Sequence, residues 1–121
     1  MKKILKPKNI YQKLKYARSG IIYTYRTEVG FKRIVRAFFI FATIALLLPI
    51  KDYFKIILVI SLMFPISAEI LNTAIEKTVD TATKEYQVTA KRAKDIASAF
   101  VYFSIFITFL IWCSVLYFAV T

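Results

Sequence analysis

The sequence ends in an apolar run that is long enough to cross a membrane. Residues 96–120 hold 25 consecutive positions without a charged side chain, and about 20 apolar residues are enough for a helix to span the hydrocarbon core of a bilayer. Hydrophobic residues make up 59% of the 121-residue chain. A soluble domain of this size has too few interior positions to bury so many. The sequence therefore predicts an all-α integral membrane protein.

Two shorter apolar segments precede this run. The first covers about residues 34–50, and the second covers about residues 54–76 and contains the run IILVISLMFPISA. Each needs basic side chains that reach the interface, or polar residues buried against neighbouring helices, in order to span. With the last segment at about 96–120, we expect three transmembrane helices in a single domain of residues 1–121.

The stretch of residues 9–27 has the pattern of a helix that lies on the membrane surface. Its apolar residues recur at spacings of three and four, and basic residues occupy the rest of its circumference. Tyrosines at positions 11, 16, 23 and 25 suit an interface, where the ring is half buried and the hydroxyl is in water. We therefore predict an amphipathic surface helix ahead of the first span.

The positive charge of the chain is concentrated beside the apolar segments. Eleven of the eighteen Lys and Arg residues lie in the first 36 positions, and five more lie between positions 77 and 94. This distribution predicts contact with anionic lipids and a cytoplasmic N-terminus, and it argues against nucleic-acid binding. The first 16 residues lack the apolar core of a signal peptide, so we expect no cleaved leader.

Four polar residues interrupt the end of the second apolar segment at helical spacing. Glu69, Asn72, Glu76 and Asp80 are three, four and four residues apart, so on a helix they fall within an arc of about 80°. They could pair with basic residues of neighbouring helices, such as Arg36 or Lys94. Because each acid placed in a membrane costs a few kcal/mol, such residues are more often functional, and we favour that interpretation.

The chemistry of these side chains suits phosphoryl transfer. Carboxylate oxygens at the water interface, with no histidine and one cysteine in the chain, favour Mg²⁺ and a nucleotide polyphosphate. A deeper carboxylate could accept a proton from an alcohol. The chain has two glycines and no phosphate-binding loop, so Lys94 is expected to contact the γ-phosphate beside Asp95. For Lys91 and Arg92 we prefer membrane anchoring.

Three motifs in this region resemble the prokaryotic diacylglycerol kinase family. They are AEILNTAIEKTVD at 68–80, EY at 85–86 and AKRAKDIASA at 90–99. The first contains the family signature E-x-x-N-[ST]-A-[IL]-E-x-x-x-D without a gap. The resemblance extends over roughly residues 10–120. It implies an integral kinase of the bacterial inner membrane that uses MgATP, works as a homotrimer with shared active sites, and faces the cytoplasm.

The resemblance also implies a role for individual residues. Glu69 would be the catalytic base, which takes the proton of the lipid hydroxyl, while Glu28 and Glu76 would bind the metal. Apart from the resemblance, Ser98 lies one turn deeper than Lys94 on the same side, and we expect it to meet the lipid substrate together with Glu69. The residues implied at ATP are Tyr16, Asn72, Asp80, Glu85, Tyr86, Gln87, Lys94 and Asp95. The sequence departs from the family pattern at Asn9, Ile34 and Gln87, where an arginine, an acid and a histidine are common.

Two lipid substrates occur in this family, diacylglycerol and undecaprenol. The ending LIWCSVLY of the third segment and the loop TKEYQ look more like the diacylglycerol type, so we predict transfer of the ATP γ-phosphate to the primary hydroxyl of diacylglycerol, with undecaprenol as the alternative. A cation-conducting subunit would need acids across the membrane, and the first and third segments have none. A structural membrane subunit would leave the spacing of the acids unexplained.

Overall fold

The computed structural model describes residues 9–121, and this part of the chain is entirely helical. Its five helices are α1 (Ile10–Thr27), α2 (Val29–Leu47), α3 (Asp52–Ser61), α4 (Met63–Ala82) and α5 (Val88–Val120). The basic residues 1–8, which contribute to the predicted orientation and include Lys8, lie outside the described residues.

Helix α1 begins and ends at residues whose backbone is extended. The Asn9 side chain accepts a hydrogen bond from the Gln12 amide at 3.0 Å and so caps the first turn. At the other end Glu28 has φ −106° and ψ 114° and separates α1 from α2. Ile10 and Leu14 are 74% and 64% exposed, so this helix keeps an apolar face free. Its position on a membrane surface stays a prediction.

Helix α2 ends three residues before the predicted end of the first segment at residue 50. The cause is Pro49, because a residue that precedes proline disfavours the helical region; Leu48 accordingly has φ −68° and ψ 143°. The helical part of this segment, residues 34–47, is about 21 Å long. Basic residues occupy the N-terminal half of α2 at Lys32, Arg33 and Arg36.

Two helical stretches of the described chain are long and apolar enough to cross a membrane, namely Asp52–Ala82 and Val88–Val120. In their most apolar windows only 22% and 17% of the residues are buried, whereas the core helix of a soluble protein is mostly buried. These exposed apolar surfaces are consistent with a helical membrane protein.

The first of these stretches is interrupted at Leu62, where the sequence predicts one continuous segment over 54–76. Pro65 has no amide hydrogen to donate to the Ser61 carbonyl one turn earlier, so α4 starts afresh two residues before the proline. The Thr108 hydroxyl of α5 is shared between that carbonyl, at 3.1 Å, and the Ser104 carbonyl of its own helix, at 3.0 Å. The Trp112 indole donates to the Ser61 hydroxyl at 3.0 Å. A neighbouring helix thus supplies a donor to the carbonyl that the break leaves without its helical partner.

Replacing Thr108 by valine is expected to lower the free energy of unfolding by about 1 kcal/mol, because the Ser61 carbonyl then loses its donor in an apolar environment. Unfolding in mixed detergent micelles measures the change. Thr43→Val is the matched control, since the Thr43 hydroxyl donates only within its own helix, to the Phe39 carbonyl. An equal loss in both variants would contradict the special role of Thr108.

Helix α5 packs along α4 and α3 through a row of small and medium-sized side chains. The buried residues of this row are spaced four, three and four apart: Ala97, Val101, Ser104 and Thr108. Small side chains let two helices approach closely in a membrane. Lys94 lies one turn before Ala97, so this packing directs Lys94 toward the C-terminal half of α4.

Candidate active site

Asn72 lies at the centre of the polar stripe on α4 and connects two of its acids. Its side chain is hydrogen bonded to Glu69, and its Nδ2 donates to Glu76 Oε1 at 3.2 Å. Asn72 is only 7% exposed, and its Oδ1 is a buried atom without a hydrogen-bond partner in the described chain. The helical spacing therefore brings Glu69, Asn72 and Glu76 together, as the sequence predicts, and leaves one oxygen available for a ligand.

The first turn of α2 passes directly over the Glu69 carboxyl group. A Cβ atom added at Gly30 would lie 2.9 Å from Glu69 Oε1 and 3.5 Å from its Cδ. Only a residue without a side chain leaves this carboxyl group undisturbed. The sequence alone does not indicate that Gly30 belongs to the site, because the contact joins two helices that are far apart in the chain.

The same turn brings Glu28 to the polar stripe. The Glu28 carboxylate lies 3.1 Å from Lys77 Nζ, with 23% of its side chain exposed, and Lys77 Nζ is 5.8 Å from the centre of the Tyr23 ring. The charges of Glu28 and Glu76 both act on the Glu69 carboxylate. Two acids of α4 and one from the junction between α1 and α2 are thus gathered at one place, and Lys77, for which the sequence gives no site role, neutralises one of them.

A cavity of about 730 Å³ lies next to this acid group, toward the C-terminal end of α4. Five residues predicted to bind nucleotide line it, and they are Asp80, Glu85, Tyr86, Gln87 and Lys94. Lys94 Nζ lies 2.5 Å from Asp80 Oδ1. The Tyr86 side chain is 77% exposed, so its ring is free to stack on a planar group.

The loop between α4 and α5 has a defined turn at the mouth of this cavity. The Glu85 amide donates to the Thr83 hydroxyl at 3.3 Å, and this hydroxyl donates to the Glu85 carbonyl at 3.2 Å. Lys84 and Lys91 also line the cavity. The sequence predicts membrane anchoring for Lys91, and the structure also places Lys91 at the wall of this cavity.

Several predicted site residues lie apart from the cavity. Tyr16 is half exposed on α1. Asp95 pairs with Lys91 at 2.6 Å on the surface of α5, and Ser98 is half buried one turn deeper. Within this chain the structure thus forms an acid group and an adjacent cavity, while these three residues contribute to neither.

An apolar groove of about 440 Å³ begins on the other side of Glu69. Its upper end is at Pro65, one turn before Glu69 on α4, and at Ile34, one turn after Gly30 on α2. It continues between α2, α4 and α5, where it is lined by Phe38, Phe41, Phe109, Trp112, Cys113 and Leu116. The row of acids on α4 therefore begins at Glu69, one turn after an apolar groove, and ends at Asp80 in a polar cavity.

The donor groups near Glu69 fit a hard divalent cation. Within residues 9–121 no three acid, histidine or cysteine side chains are arranged as a metal site, and Glu28 is engaged by Lys77. Nevertheless, two carboxylates and the unpartnered amide oxygen of Asn72 are the oxygen ligands that Mg²⁺ prefers. The assignment of Glu28 and Glu76 as metal ligands stays a prediction.

Comparison with known proteins identifies the family of this chain. The family model described as prokaryotic diacylglycerol kinase matches residues 15–116. The diacylglycerol kinase of Escherichia coli strain K12 is 32% identical over 102 residues, which cover 84% of each chain. That of Pseudomonas aeruginosa is 27% identical over 109 residues, covering 90% of this chain and 89% of the relative.

A third relative, the diacylglycerol kinase of Helicobacter pylori strain 26695, is 30% identical over 106 residues, covering 87% of this chain and 82% of the relative. The family match includes the acid group, the cavity and all three motifs at 68–99. This chain therefore belongs to the prokaryotic diacylglycerol kinase family, a family of lipid kinases.

Proposed function

We propose that this protein transfers the γ-phosphoryl group of MgATP to the primary hydroxyl of diacylglycerol and so forms phosphatidic acid. The observation that supports this function best is the row of acids on α4. The row begins at Glu69, one turn after the apolar groove, which suits a lipid chain, and it ends at Asp80 in the lysine-containing cavity, which suits a polyphosphate. The lipid hydroxyl and the transferred phosphate would be brought together along this row.

The nucleotide would occupy the cavity at the C-terminal end of α4. Tyr86 offers its exposed ring to the base, with Glu85 and Gln87 at the edge, and Lys94 offers its ammonium group to the phosphates. Asp80 holds Lys94 in position through their ion pair. Glu28, Glu76 and Asn72 would hold Mg²⁺, which neutralises negative charge on the phosphates.

Glu69 would act as the general base in a direct transfer. It accepts the proton of the lipid hydroxyl while the hydroxyl oxygen forms a bond to the γ-phosphorus and the bond from that phosphorus to the ADP oxygen breaks. Asn72 orients the carboxylate through its hydrogen bond. Lys94 stabilises the charge that develops on the transferred group. Ser98 would contact the lipid near its headgroup.

The proposed setting is the bacterial cytoplasmic membrane, with three spans and a cytoplasmic N-terminus. The 33 residues of α5 extend about 50 Å, whereas the hydrocarbon core measures about 30 Å. One end of α5 must therefore project from it, and the basic residues 91, 92 and 94 identify that end. The positive-inside rule makes it cytoplasmic, on the side where ATP is present. Helix α2 would be the third span, with its basic half at the same interface.

We further propose a homotrimer whose active sites are shared between subunits. Tyr16, Asp95 and Ser98 contribute to neither the acid group nor the cavity of their own chain, and a neighbouring subunit offers a place for them. The exposed apolar faces of α2 and α5 are suited to contact other subunits as well as lipid.

Phosphate transfer from radiolabelled ATP tests the function. The protein in mixed micelles is supplied with diacylglycerol or undecaprenol, with Mg²⁺ or with a chelator. We expect labelled phosphatidic acid that requires Mg²⁺. Labelled undecaprenyl phosphate alone would replace the proposed substrate by the alternative, and the absence of any labelled lipid would refute the kinase function.

A further inference from the structure

We propose that Lys77 is a built-in countercation, which holds Glu28 on α4 until a divalent cation displaces it. The inference rests on the proposed function, because Glu28 and Glu76 are the acids proposed to bind Mg²⁺. It adds a residue to which neither the signature nor the proposed mechanism gives a role.

The Lys77 side chain connects three elements at one point. Its ammonium group lies 3.1 Å from the Glu28 carboxylate in the hinge between α1 and α2. It also lies 5.8 Å from the centre of the Tyr23 ring on α1. Since Lys77 directly follows Glu76, the contact fixes the hinge beside a proposed metal ligand.

The charges at this place explain why a countercation is needed. Glu28 and Glu76 both act electrostatically on Glu69, and like charges that are brought together repel one another. Asn72 donates to Glu69 and Glu76, but it makes no hydrogen bond to Glu28 within the described part of the chain. Lys77 is the cation that pairs with Glu28, so it balances the acid that Asn72 does not contact.

A divalent cation on Glu28 would compete with the ammonium group for the same carboxylate. Two cations beside one carboxylate repel each other, so the metal must displace Lys77. Displacement is easy, because half of the Lys77 side chain is exposed and exposed ion pairs are weak. Lys77 lies one turn before Asp80, which lines the adjacent cavity, so its freed ammonium group would be available to phosphates bound there. Metal binding and phosphate binding are thereby linked.

A measurement of metal binding tests whether a divalent cation displaces Lys77 from Glu28, and it does not depend on catalytic activity. Mn²⁺ is titrated into the full chain in detergent micelles without nucleotide, and free Mn²⁺ is measured by electron paramagnetic resonance. We expect Lys77→Met to bind Mn²⁺ about fivefold more tightly than the unaltered protein. Lys77→Arg keeps the charge and should stay within about twofold. Lys15→Met is the matched control, since Lys15 is exposed on α1.

A second measurement follows the hinge in the absence of metal. The thermal unfolding midpoint of Lys77→Met should fall by about 3 °C relative to Lys15→Met, and Mn²⁺ should raise it again. If the unaltered protein binds Mn²⁺ and Lys77→Met binds it equally or more weakly, the exchange is refuted while the magnesium site stands. If no form binds Mn²⁺, both fail, and the labelled-phosphate assay still decides the kinase function.

Discussion

Glu69→Gln is expected to lower turnover about 100- to 10,000-fold, which is the usual contribution of a general base, while the affinity for MgATP changes little. Glutamine has nearly the same shape and can still accept the hydrogen bond from Asn72, but it cannot take the proton of the lipid hydroxyl. Turnover with diacylglycerol and equilibrium binding of a non-hydrolysable ATP analogue, measured on the same preparation, separate the two effects.

The control for this variant is Asp52→Asn, which removes an exposed acid from the other end of the same helical stretch. It should retain turnover, because Asp52 lies far from the acid group. Turnover of Glu69→Gln within a few-fold of the unaltered protein would exclude Glu69 as the base. A parallel loss of analogue binding would instead show that Glu69 holds the nucleotide.

The second large effect is expected at Glu76. Replacing Glu76 by glutamine should weaken MgATP binding about tenfold or more, because it removes a charged interaction worth about 1.4 kcal/mol. The amide oxygen of glutamine still accepts from Asn72 Nδ2, so the hydrogen bond at 3.2 Å is retained. A higher Mg²⁺ concentration can offset a weaker metal ligand by mass action. The KM of Glu76→Gln for ATP should therefore be raised at low Mg²⁺ and should return part of the way to the normal value at high Mg²⁺.

Glu85→Gln is the matched control for the metal effect, since Glu85 lines the cavity away from the acid group. Any weakening in this variant should be independent of Mg²⁺, because Glu85 is proposed to face the base. If Mg²⁺ rescues both variants equally, or if Glu76→Gln binds MgATP normally, Glu76 is not a metal ligand.

The family and the all-helical fold could be predicted from the sequence, and both are confirmed for the described residues. Two helical stretches that are long and apolar enough to span a membrane agree with the predicted membrane character. The helical period was sufficient to place Glu69, Asn72 and Glu76 on one face, because residues three and four apart on a helix are neighbours whatever surrounds them. The end of α2 was also encoded locally, in Pro49, although the prediction extended the segment to residue 50. Local rules of this kind need no knowledge of distant contacts.

Other features depend on contacts between segments that are far apart in the chain. Pro65 indicates a possible break, but only the Thr108 hydroxyl, 47 positions after Ser61, shows how the break is accommodated. Lys77 and Glu28 meet because the hinge between α1 and α2 folds against α4. The passage of Gly30 over Glu69 has the same origin. No periodicity within one segment indicates such pairs.

The break at Leu62 has a consequence for how this protein can change over evolution. In a continuous helix, each residue inserted or deleted rotates everything beyond it by about 100°. Because α3 and α4 are separate helices joined at Leu62, a change in the length of α3 can be absorbed at the joint. The apolar half of the span can thus adapt to a thicker or thinner bilayer while the acids on α4 keep their direction.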